Sequence, residues 1–483
     1  MCYMRLPRSI VRKPRLVMLI GFTCASVINY SFSLVMGWLL IPDDFGLLAF
    51  AQTLLLIGGL ILTSGISWSL AAAIATAESS RREPLVRGAL IVNLMLATAI
   101  GAGLTVLFVL GPLHAGLETG RITALVVFSL PFISLIAIVQ ATAQGMERFP
   151  AVAGIQVSEI LCKAIAGVIF VRMGFGAAGA IAGFLVGAIF GTMVGFVILK
   201  RHLKFRFVGS IERISWGVAG PMFGSLIGIG ILLNLDILML KLFQGDDRAL
   251  TGYYQAGIVL ANAPYYLVAS ALTPVLFTQL ARVKTVTAAS GPIAEALKLI
   301  ALLIIPIEGM LMAAPSTALA LFFPHAYAPG APALRMLAIG NAILIVVVTL
   351  STAFQAVGLA KIPARFLLGV TAIESVALRL IVPHARAIGA ATIFAVASLA
   401  VLLGLAASYL TRIETQARRR TFIWLTRYCV ALAAGGLGWI AVQTATGDTV
   451  FTIGAGSICY AGAVWVLLRP HYRFLALSKG SSL

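Results

Sequence analysis

Residues 145–151 read GMERFPA, and residues 358–364 read GLAKIPA. A Gly-Ala-Ala triplet follows each stretch, at 176–178 and at 389–391. The two matches share one offset, because 358 minus 145 and 389 minus 176 are both 213. Each match sits at the same end of an apolar segment in both copies. This repeat predicts two parallel halves, and membrane proteins built in this way usually keep their substrate site between the halves.

The composition predicts an all-α integral membrane protein. Hydrophobic residues make up 60% of the chain and charged residues 11%, a balance that soluble globular domains do not have. A helix needs about 20 apolar residues to cross a bilayer core. Fourteen segments meet this length: 16–40, 47–71, 88–111, 122–144, 152–171, 177–199, 218–243, 253–280, 293–322, 333–357, 366–382, 387–410, 422–442 and 450–468.

The basic residues predict orientation rather than nucleic-acid binding. The formal net charge is +19, and 25 of the 35 Lys and Arg residues fall on one side of the predicted spans. The opposite loops hold Arg121, Arg172, Arg248, Arg379 and Arg386. Because basic loops stay in the cytoplasm, we expect both termini to lie there.

The repeat divides the spans into two predicted six-helix lobes, 16–199 and 218–410. A weaker match of 45–48 with 251–254, at an offset of 206, supports this division. The other segments are a basic cytoplasmic N-terminus at 1–15, a cytoplasmic linker at 200–217, a basic cytoplasmic loop at 411–421, helices 13 and 14 at 422–468, and a cytoplasmic C-terminus at 469–483. No loop is long enough to fold as a separate domain, so any function lies in the spans and at their ends.

Small residues and prolines mark several spans. Span six carries a glycine every four residues, at Gly183, Gly187, Gly191 and Gly195. This spacing lets another helix approach closely, and it indicates either tight static packing or a surface on which helices slide. Prolines inside several spans predict bent helices.

Span five places an acid and a base inside the bilayer. Glu159 and Lys163 are four residues apart and share one helix face, with the acid nearer the N-terminus, which is the more favourable order. Ionisable groups in a membrane are costly and tend to face a partner or a cavity. The pair is therefore either self-neutralised or part of the charged wall of a translocation cavity.

Three further acids lie singly in later spans: Asp236 in span seven, Glu308 in span nine and Glu374 in span eleven. They are candidates for coupling transport to a proton or a sodium ion. The alternative is that each is neutral and hydrogen-bonded. Lys241, near the outer end of span seven, either lines the cavity or extends to the membrane surface.

Polar side chains accompany these charges. Amides and aromatic rings suit the hydroxyls and C–H faces of sugars, although tyrosine near a span end is also typical of the membrane interface. The further candidates for substrate contact are Asn29, Gln52, Gln140, Gln144, Tyr254, Asn262, Arg335, Asn341 and Gln355.

The sequence lacks the signatures of catalysis. It contains no GxSxG, HExxH or Walker A motif, its five cysteines are scattered, and its five histidines lie in loops or near interfaces. We therefore expect no enzyme activity, no metal site and no cofactor.

The order of several short motifs resembles a known family. PDDFGL at 42–47 follows the first span, QGMERF at 144–149 closes the fourth, and GFGAAG at 174–179 opens the sixth. NLD at 234–236 lies in the seventh span, and GYYQA at 252–256 opens the eighth. Together they resemble the Wzx-type O-antigen flippases, which are polysaccharide exporters of the multidrug/oligosaccharidyl-lipid/polysaccharide exporter superfamily.

The resemblance implies two six-helix lobes in a V-shaped arrangement, with two extra C-terminal helices. It implies transfer of an undecaprenyl-diphosphate-linked oligosaccharide to the periplasmic leaflet by alternating access, for O-antigen, capsule or exopolysaccharide synthesis. Membrane lipids, a polysaccharide polymerase and chain-length machinery are the partners that it implies. Lys163, Lys241 and Arg335 are placed to meet the diphosphate, and Asp236 matches an acid of the seventh span.

One departure concerns the sister group of lipid II flippases. Those proteins carry arginines in the first two spans, whereas the first two spans here have none, which argues against lipid II as the cargo. The alternatives to the flippase are an ion-coupled multidrug-type antiporter and, less favoured, a membrane glycan polymerase or ligase.

Overall fold

The computed structural model describes residues 8–110, 116–200, 220–243, 247–267, 273–280, 286–412 and 462. Every regular element in these ranges is helical, which confirms the predicted all-α class. The helices are α1 (Arg8–Leu39), α2 (Pro42–Ser64), α3 (Ile66–Thr76), α4 (Ser79–Leu110), α5 (Gly116–Gly145), α6 (Phe149–Phe170), α7 (Gly176–Leu199), α8 (Gly220–Leu232), α9 (Leu235–Phe243), α10 (Leu250–Leu267), α11 (Thr273–Leu280), α12 (Val286–Leu303), α13 (Ile305–Ala313), α14 (Pro315–Phe322), α15 (Ala331–Ala356) and α16 (Lys361–Leu410).

The described residues contain nine candidate membrane spans, which confirms a multi-pass membrane protein. Two of them, Phe149–Leu199 and Lys361–Leu410, have 51 and 50 residues. At 1.5 Å per residue each corresponds to roughly 75 Å, more than twice the thickness of a bilayer core, and each is broken near its middle. Helices 13 and 14, predicted at 422–468, lie outside the described residues apart from residue 462, so the total of fourteen stays a prediction.

The two long helical stretches break in a similar way. A π-helical turn, Val171–Phe175, separates α6 from α7, and Gly176 follows it with φ 52° and ψ −140°. Glycine adopts this conformation at little cost because it has no Cβ. In α16 the break falls at Arg386, with φ 48° and ψ −136°. The second break therefore places an arginine in a conformation that favours glycine.

The repeated stretches also form the same turn. After α5 and after α15, an amide donates to the carbonyl five residues earlier, as in a Schellman cap. The residue before this amide has positive φ, 56° at Glu147 and 82° at Gly358. The structural partner of Gly358 is therefore Glu147, and not Gly145 as the offset of 213 predicts. The physical reason is that the second turn reaches its proline two residues later.

The chain divides by contact into two compact units. Unit 1 comprises Met1–Val259 and Leu367–Ala390, and unit 2 comprises Leu260–Phe366 and Ala391–Leu483. A division by contact does not test which helices move together, so the predicted lobes and their V-shaped arrangement stay predictions. The predicted linker lies outside the described residues apart from Lys200.

In unit 1, α7 packs against α6 through its glycine strip, all of which is buried. A Cβ added at Gly183 would lie 2.7 Å from the Cα of Gly167, and one at Gly187 would lie 2.7 Å from the Cβ of Lys163. These distances leave no room for a larger side chain. The structure therefore favours the packing interpretation of the strip.

In unit 2, α15 is buried along most of its length, and α11, α12, α13 and α14 pack against it. Pro306 and Pro315 stand in the first turns of α13 and α14, where a missing N–H has no cost. The prolines of predicted span nine thus mark helix starts, and the prediction of a bent span is confirmed there.

Candidate functional site

The first polar cluster of unit 1 surrounds Lys163 on α6. Lys163 is 7% exposed, and its Nζ donates a hydrogen bond to Oδ1 of Asn29 on α1. The ammonium also lies 4.5 Å from the ring centroid of Phe184 and 5.3 Å from that of Phe32. A buried ammonium without partners is costly, so two aromatic faces and an amide explain how α6 carries a lysine within the membrane.

Glu159 extends this Lys163 cluster by one helical turn. The two charged groups interact electrostatically, as their spacing predicts. One turn earlier, Gln156 accepts a hydrogen bond of 3.0 Å from Gln140 on α5. Lys163 is buried whereas Asn29 is exposed, so the cluster reaches the surface of unit 1 through this amide. A neutralised pair and a wall of a cavity therefore both remain consistent with the geometry.

The second polar cluster forms where predicted span seven is broken. α8 ends at Leu232, α9 begins at Leu235, and Asp236 lies in the first turn of α9, where the helix dipole favours an anion. Oδ1 of Asp236 accepts the N–H of Ile237 at 2.8 Å, and Oδ2 accepts the hydroxyl of Tyr254 at 2.6 Å. Asp236 is 1% exposed and Tyr254 is fully buried. The sequence analysis proposed Tyr254 as a substrate-contacting residue of the cavity, and in the structure its hydroxyl donates to Asp236.

Glu374 of α16 completes this Asp236 cluster. It interacts electrostatically with Asp236 and with Tyr254, although the two acids are distant in sequence. Glu374 is 2% exposed, and no described residue donates a hydrogen bond to its carboxylate oxygens. Two buried carboxylates that interact in a low-dielectric site are stabilised when a proton or a small cation neutralises one of them. Within the described chain, no three His, Cys, Asp or Glu side chains meet as a metal site.

Two charged candidates of unit 2 lie on or near α13. Glu308 is fully buried in the first turn of α13, and neither of its oxygens has a hydrogen-bond donor among the described residues. Arg335 is exposed, and its Nε donates to the carbonyl of Met312 at 3.1 Å. Glu308 thus resembles Asp236, since each acid lies in the first turn after a helix break.

The amide candidates of unit 2 make local bonds. Asn341 is buried and donates to the carbonyl of Leu337 at 3.2 Å. Asn262 is buried and hydrogen-bonds Tyr266, which is 44% exposed. Gln355 is half-buried near the end of α15.

The remaining candidates of unit 1 lie apart from the two clusters. Gln52 is half-buried on α2, and Gln144 is exposed near the end of α5. Lys241 is half-buried in the last turn of α9. No hydrogen bond recorded among the described residues joins Gln52 or Gln144 to either cluster.

Sequence reasoning missed three members of the Lys163 cluster. Gln156 could have been predicted, because helical spacing places it on the same face as Glu159 and Lys163, at i, i+3 and i+7. Phe32 and Phe184 carried no signal, since aromatic residues are common in lipid-facing spans.

Comparison with solved structures finds the same fold in a lipid II flippase and in multidrug resistance transporters. The lipid II flippase MurJ, in an inward closed conformation, matches 95% of this chain and 100% of its own, with a TM-score of 0.74 and 15% identity. An inward-facing multidrug resistance MATE family transporter of the MOP superfamily matches 82% of this chain and 94% of its own, with a TM-score of 0.57 and 14% identity. A MATE structure in the bent conformation matches 87% of this chain and 96% of its own, at 0.51 and 14%.

Sequence comparison identifies the family. The chain has no match among curated proteins. The family described as polysaccharide biosynthesis protein matches residues 15–283, more than half of the chain. This match covers both polar clusters except Glu374. The chain, a multi-pass membrane protein with the fold of the MurJ and MATE transporters, belongs to the polysaccharide biosynthesis protein family.

Proposed function

We propose that the chain is a flippase that moves an undecaprenyl-diphosphate-linked oligosaccharide from the cytoplasmic to the periplasmic leaflet by alternating access. The observation that carries this proposal is the match to the polysaccharide biosynthesis protein family together with the fold. The fold resembles that of a lipid II flippase over 95% of the chain. A lipid-linked glycan is the cargo class common to both. Surface polysaccharide, whether O-antigen, capsule or exopolysaccharide, is the product that it serves.

Lys163 is the cation best placed to meet the diphosphate of this cargo. It lies within a span, and its amide partner Asn29 is exposed. A phosphate oxygen can replace Asn29 as the acceptor and form a stronger, charge-assisted hydrogen bond. Phe32 and Phe184 keep the ammonium in place while its acceptor changes. Lys241 and Arg335 are the further candidates of this kind, and the polar residues named above are candidates for the sugars.

The Asp236 cluster is the proposed site of the coupling ion. Without a proton or sodium ion, the carboxylates of Asp236 and Glu374 repel each other inside the membrane. A bound proton or sodium ion removes this repulsion, because both carboxylates attract it. Ion binding therefore favours whichever conformation brings spans seven and eleven together. Transporters place ion sites at such broken helices, which supports this assignment. Glu308 is a second candidate for ion coupling.

The remaining parts of the proposal follow from the cargo. The chain acts in the bacterial inner membrane with both termini cytoplasmic, and it catalyses no covalent reaction. A polysaccharide polymerase and chain-length machinery act on the flipped unit and are therefore proposed partners.

Removal of the gene from its host tests the proposal directly. We expect completed lipid-linked units to accumulate on the cytoplasmic leaflet, where added membrane-impermeant glycosidase or lectin does not reach them in spheroplasts. The wild-type chain should restore surface glycan and Lys163→Met should not. The control is the double variant Lys298→Met, Glu295→Gln, which removes an ion pair of α12 that belongs to neither polar cluster. Units that reach the periplasm in the deletion strain would refute flipping by this chain.

An ion-coupled multidrug-type antiporter is the second candidate function. The MATE-like fold over 82% of the chain favours it. Expression in a host that lacks its own efflux pumps discriminates the two. Cation-dependent resistance to lipophilic cationic drugs, with normal surface glycan in the deletion strain, would establish the antiporter instead of the flippase.

A further inference from the structure

Two distant segments of unit 1 meet at the outer end of α9. The guanidinium carbon of Arg379 lies 5.8 Å from the ring centroid of Phe243, the last residue of α9. Nη1 of Arg386 lies 3.7 Å from Oδ2 of Asp247. The first contact joins α16 to the last residue of α9, whose last turn also carries Lys241, and the second joins α16 to Asp247, which precedes α10. This group, with the adjacent Arg248, is called the outer basic cluster below.

The outer basic cluster has an excess of positive charge. Its described members are four cations and one acid, and the sequence adds Asp246, which lies outside the described residues. The sequence predicts five basic residues on the outer side of the membrane, and three of them, Arg248, Arg379 and Arg386, are in this cluster. Outer loops of membrane proteins are normally poor in Lys and Arg, so a concentration at one place needs a specific reason.

Arg386 also occupies a strained backbone position. Its φ of 48° and ψ of −136° nearly equal those of Gly176, at φ 52° and ψ −140°, in the corresponding break of the first half. A residue with a Cβ is unfavourable in this region, and such strain persists mainly where a side chain is needed for function. Arg386 is 60% exposed, and its ion pair with Asp247 is longer than a hydrogen bond. The guanidinium thus projects to the surface.

We propose that the outer basic cluster binds the phosphate groups of a lipid headgroup at the periplasmic surface of the inner membrane. Arginine binds phosphate through paired N–H donors. Phe243 and Asp247, four residues apart in the sequence, each contact one guanidinium of α16. Two sources carry this chemistry: the diphosphate of the transported cargo after it has crossed, and an anionic phospholipid of the outer leaflet. The outer location rests on the orientation in the proposed function.

Binding by purified full-length protein tests the cluster without a transport assay. The probes are farnesyl diphosphate, for the cargo headgroup, and phosphatidylglycerol, each titrated in neutral detergent and followed by native mass spectrometry. We expect Arg379→Gln and Arg386→Gly each to weaken binding of at least one probe by about fivefold, as for loss of one charge contact. Arg386→Gly should also raise the melting temperature, because it relieves the strained backbone. Arg172→Gln, at the other break, is the matched control and should bind as the wild type does.

Each outcome decides the proposal. Weakened diphosphate binding alone assigns the site to the cargo, and weakened phosphatidylglycerol binding alone assigns it to a phospholipid. Unchanged affinity of Arg386→Gly and Arg379→Gln for both probes would overturn the site, as would a wild type that binds neither probe. Equal weakening by Arg172→Gln would overturn it too, because only general charge would then matter. Failure of the proposed function has a separate readout, since it appears as normal periplasmic delivery of units in the deletion strain.

Discussion

Tyr254→Phe tests whether the Asp236 cluster holds the coupling ion. Phenylalanine keeps the ring and leaves no cavity, so the change removes only the 2.6 Å hydrogen bond to Oδ2 of Asp236. Asp236 is 1% exposed, and water therefore does not readily replace the lost donor. A buried hydrogen bond to a charged group contributes about 1.5–3 kcal/mol, and one between neutral groups about 1 kcal/mol.

The size of the loss separates the two possible ions. If Asp236 is charged and holds sodium, we expect Tyr254→Phe to lose about 2 kcal/mol of stability, and its sodium affinity to change by up to about 30-fold. If the cluster holds a proton, we expect a loss of about 1 kcal/mol that does not depend on sodium. Thermal unfolding of the purified protein in sodium chloride and in choline chloride, at equal ionic strength, measures both quantities.

Tyr253→Phe is the matched control for this experiment. Tyr253 is half-buried on the same helix and is not a hydrogen-bond partner of Asp236. Its variant should retain the melting temperature and ion dependence of the wild type. Equal melting temperatures and equal ion responses for wild type and Tyr254→Phe would refute the assignment of the coupling ion to this cluster.

Three further substitutions test the packing and the charges. Gly187→Ala should destabilise the protein by about 1–3 kcal/mol, because the added Cβ would lie 2.7 Å from that of Lys163. The control Gly154→Ala, whose Cβ would have no atom within 4 Å, should be neutral or stabilising. Thermal unfolding compares the two variants. Phe184→Leu should remove a cation–π contact of up to about 2 kcal/mol and reduce glycan export, and normal export and stability would show that the ring is dispensable. Glu374→Gln should abolish ion dependence of transport without loss of stability, because it removes a like charge beside Asp236; retained ion dependence would count against its role.

Hydropathy predicted the membrane class and most of the described helices, because length and apolar content are local properties of the sequence. It did not predict where spans break. The run at 218–243 reads as one span, yet the helix is interrupted at 233–234, where the side chain of Asn234 donates to the carbonyl of Gly230 at 2.8 Å. An asparagine side chain that competes for backbone bonds was the available signal.

The composition of the polar clusters was only partly predictable. The Glu159–Lys163 pair follows from helical spacing, which is again a local property. The electrostatic interaction between Asp236 and Glu374 depends on where α9 and α16 lie in the fold, and no sequence pattern in a single chain reports that. Tyr254 shows the same limit, because a tyrosine near a span end is typical of the membrane interface, whereas here burial gives it an acid as partner.

The two polar clusters lie on corresponding spans of the predicted repeat. The Lys163 cluster joins spans one, five and six, and the Asp236 cluster joins spans seven, eight and eleven. Spans one and five correspond to spans seven and eleven. Asn29 and Asp236 are 207 residues apart, within one residue of the offset of the weaker match, and Lys163 and Glu374 are 211 apart, the offset of the shared turn. The first junction carries a cation, an amide and one acid, Glu159, and the proposed function assigns its cation to an anionic cargo. The second carries two acids, which the proposed function assigns to a coupling cation. Under the proposed function, two corresponding junctions that differ in charge would supply the cargo site and the coupling-ion site. The sequence repeat alone, which records only the shared turns, reveals neither of them.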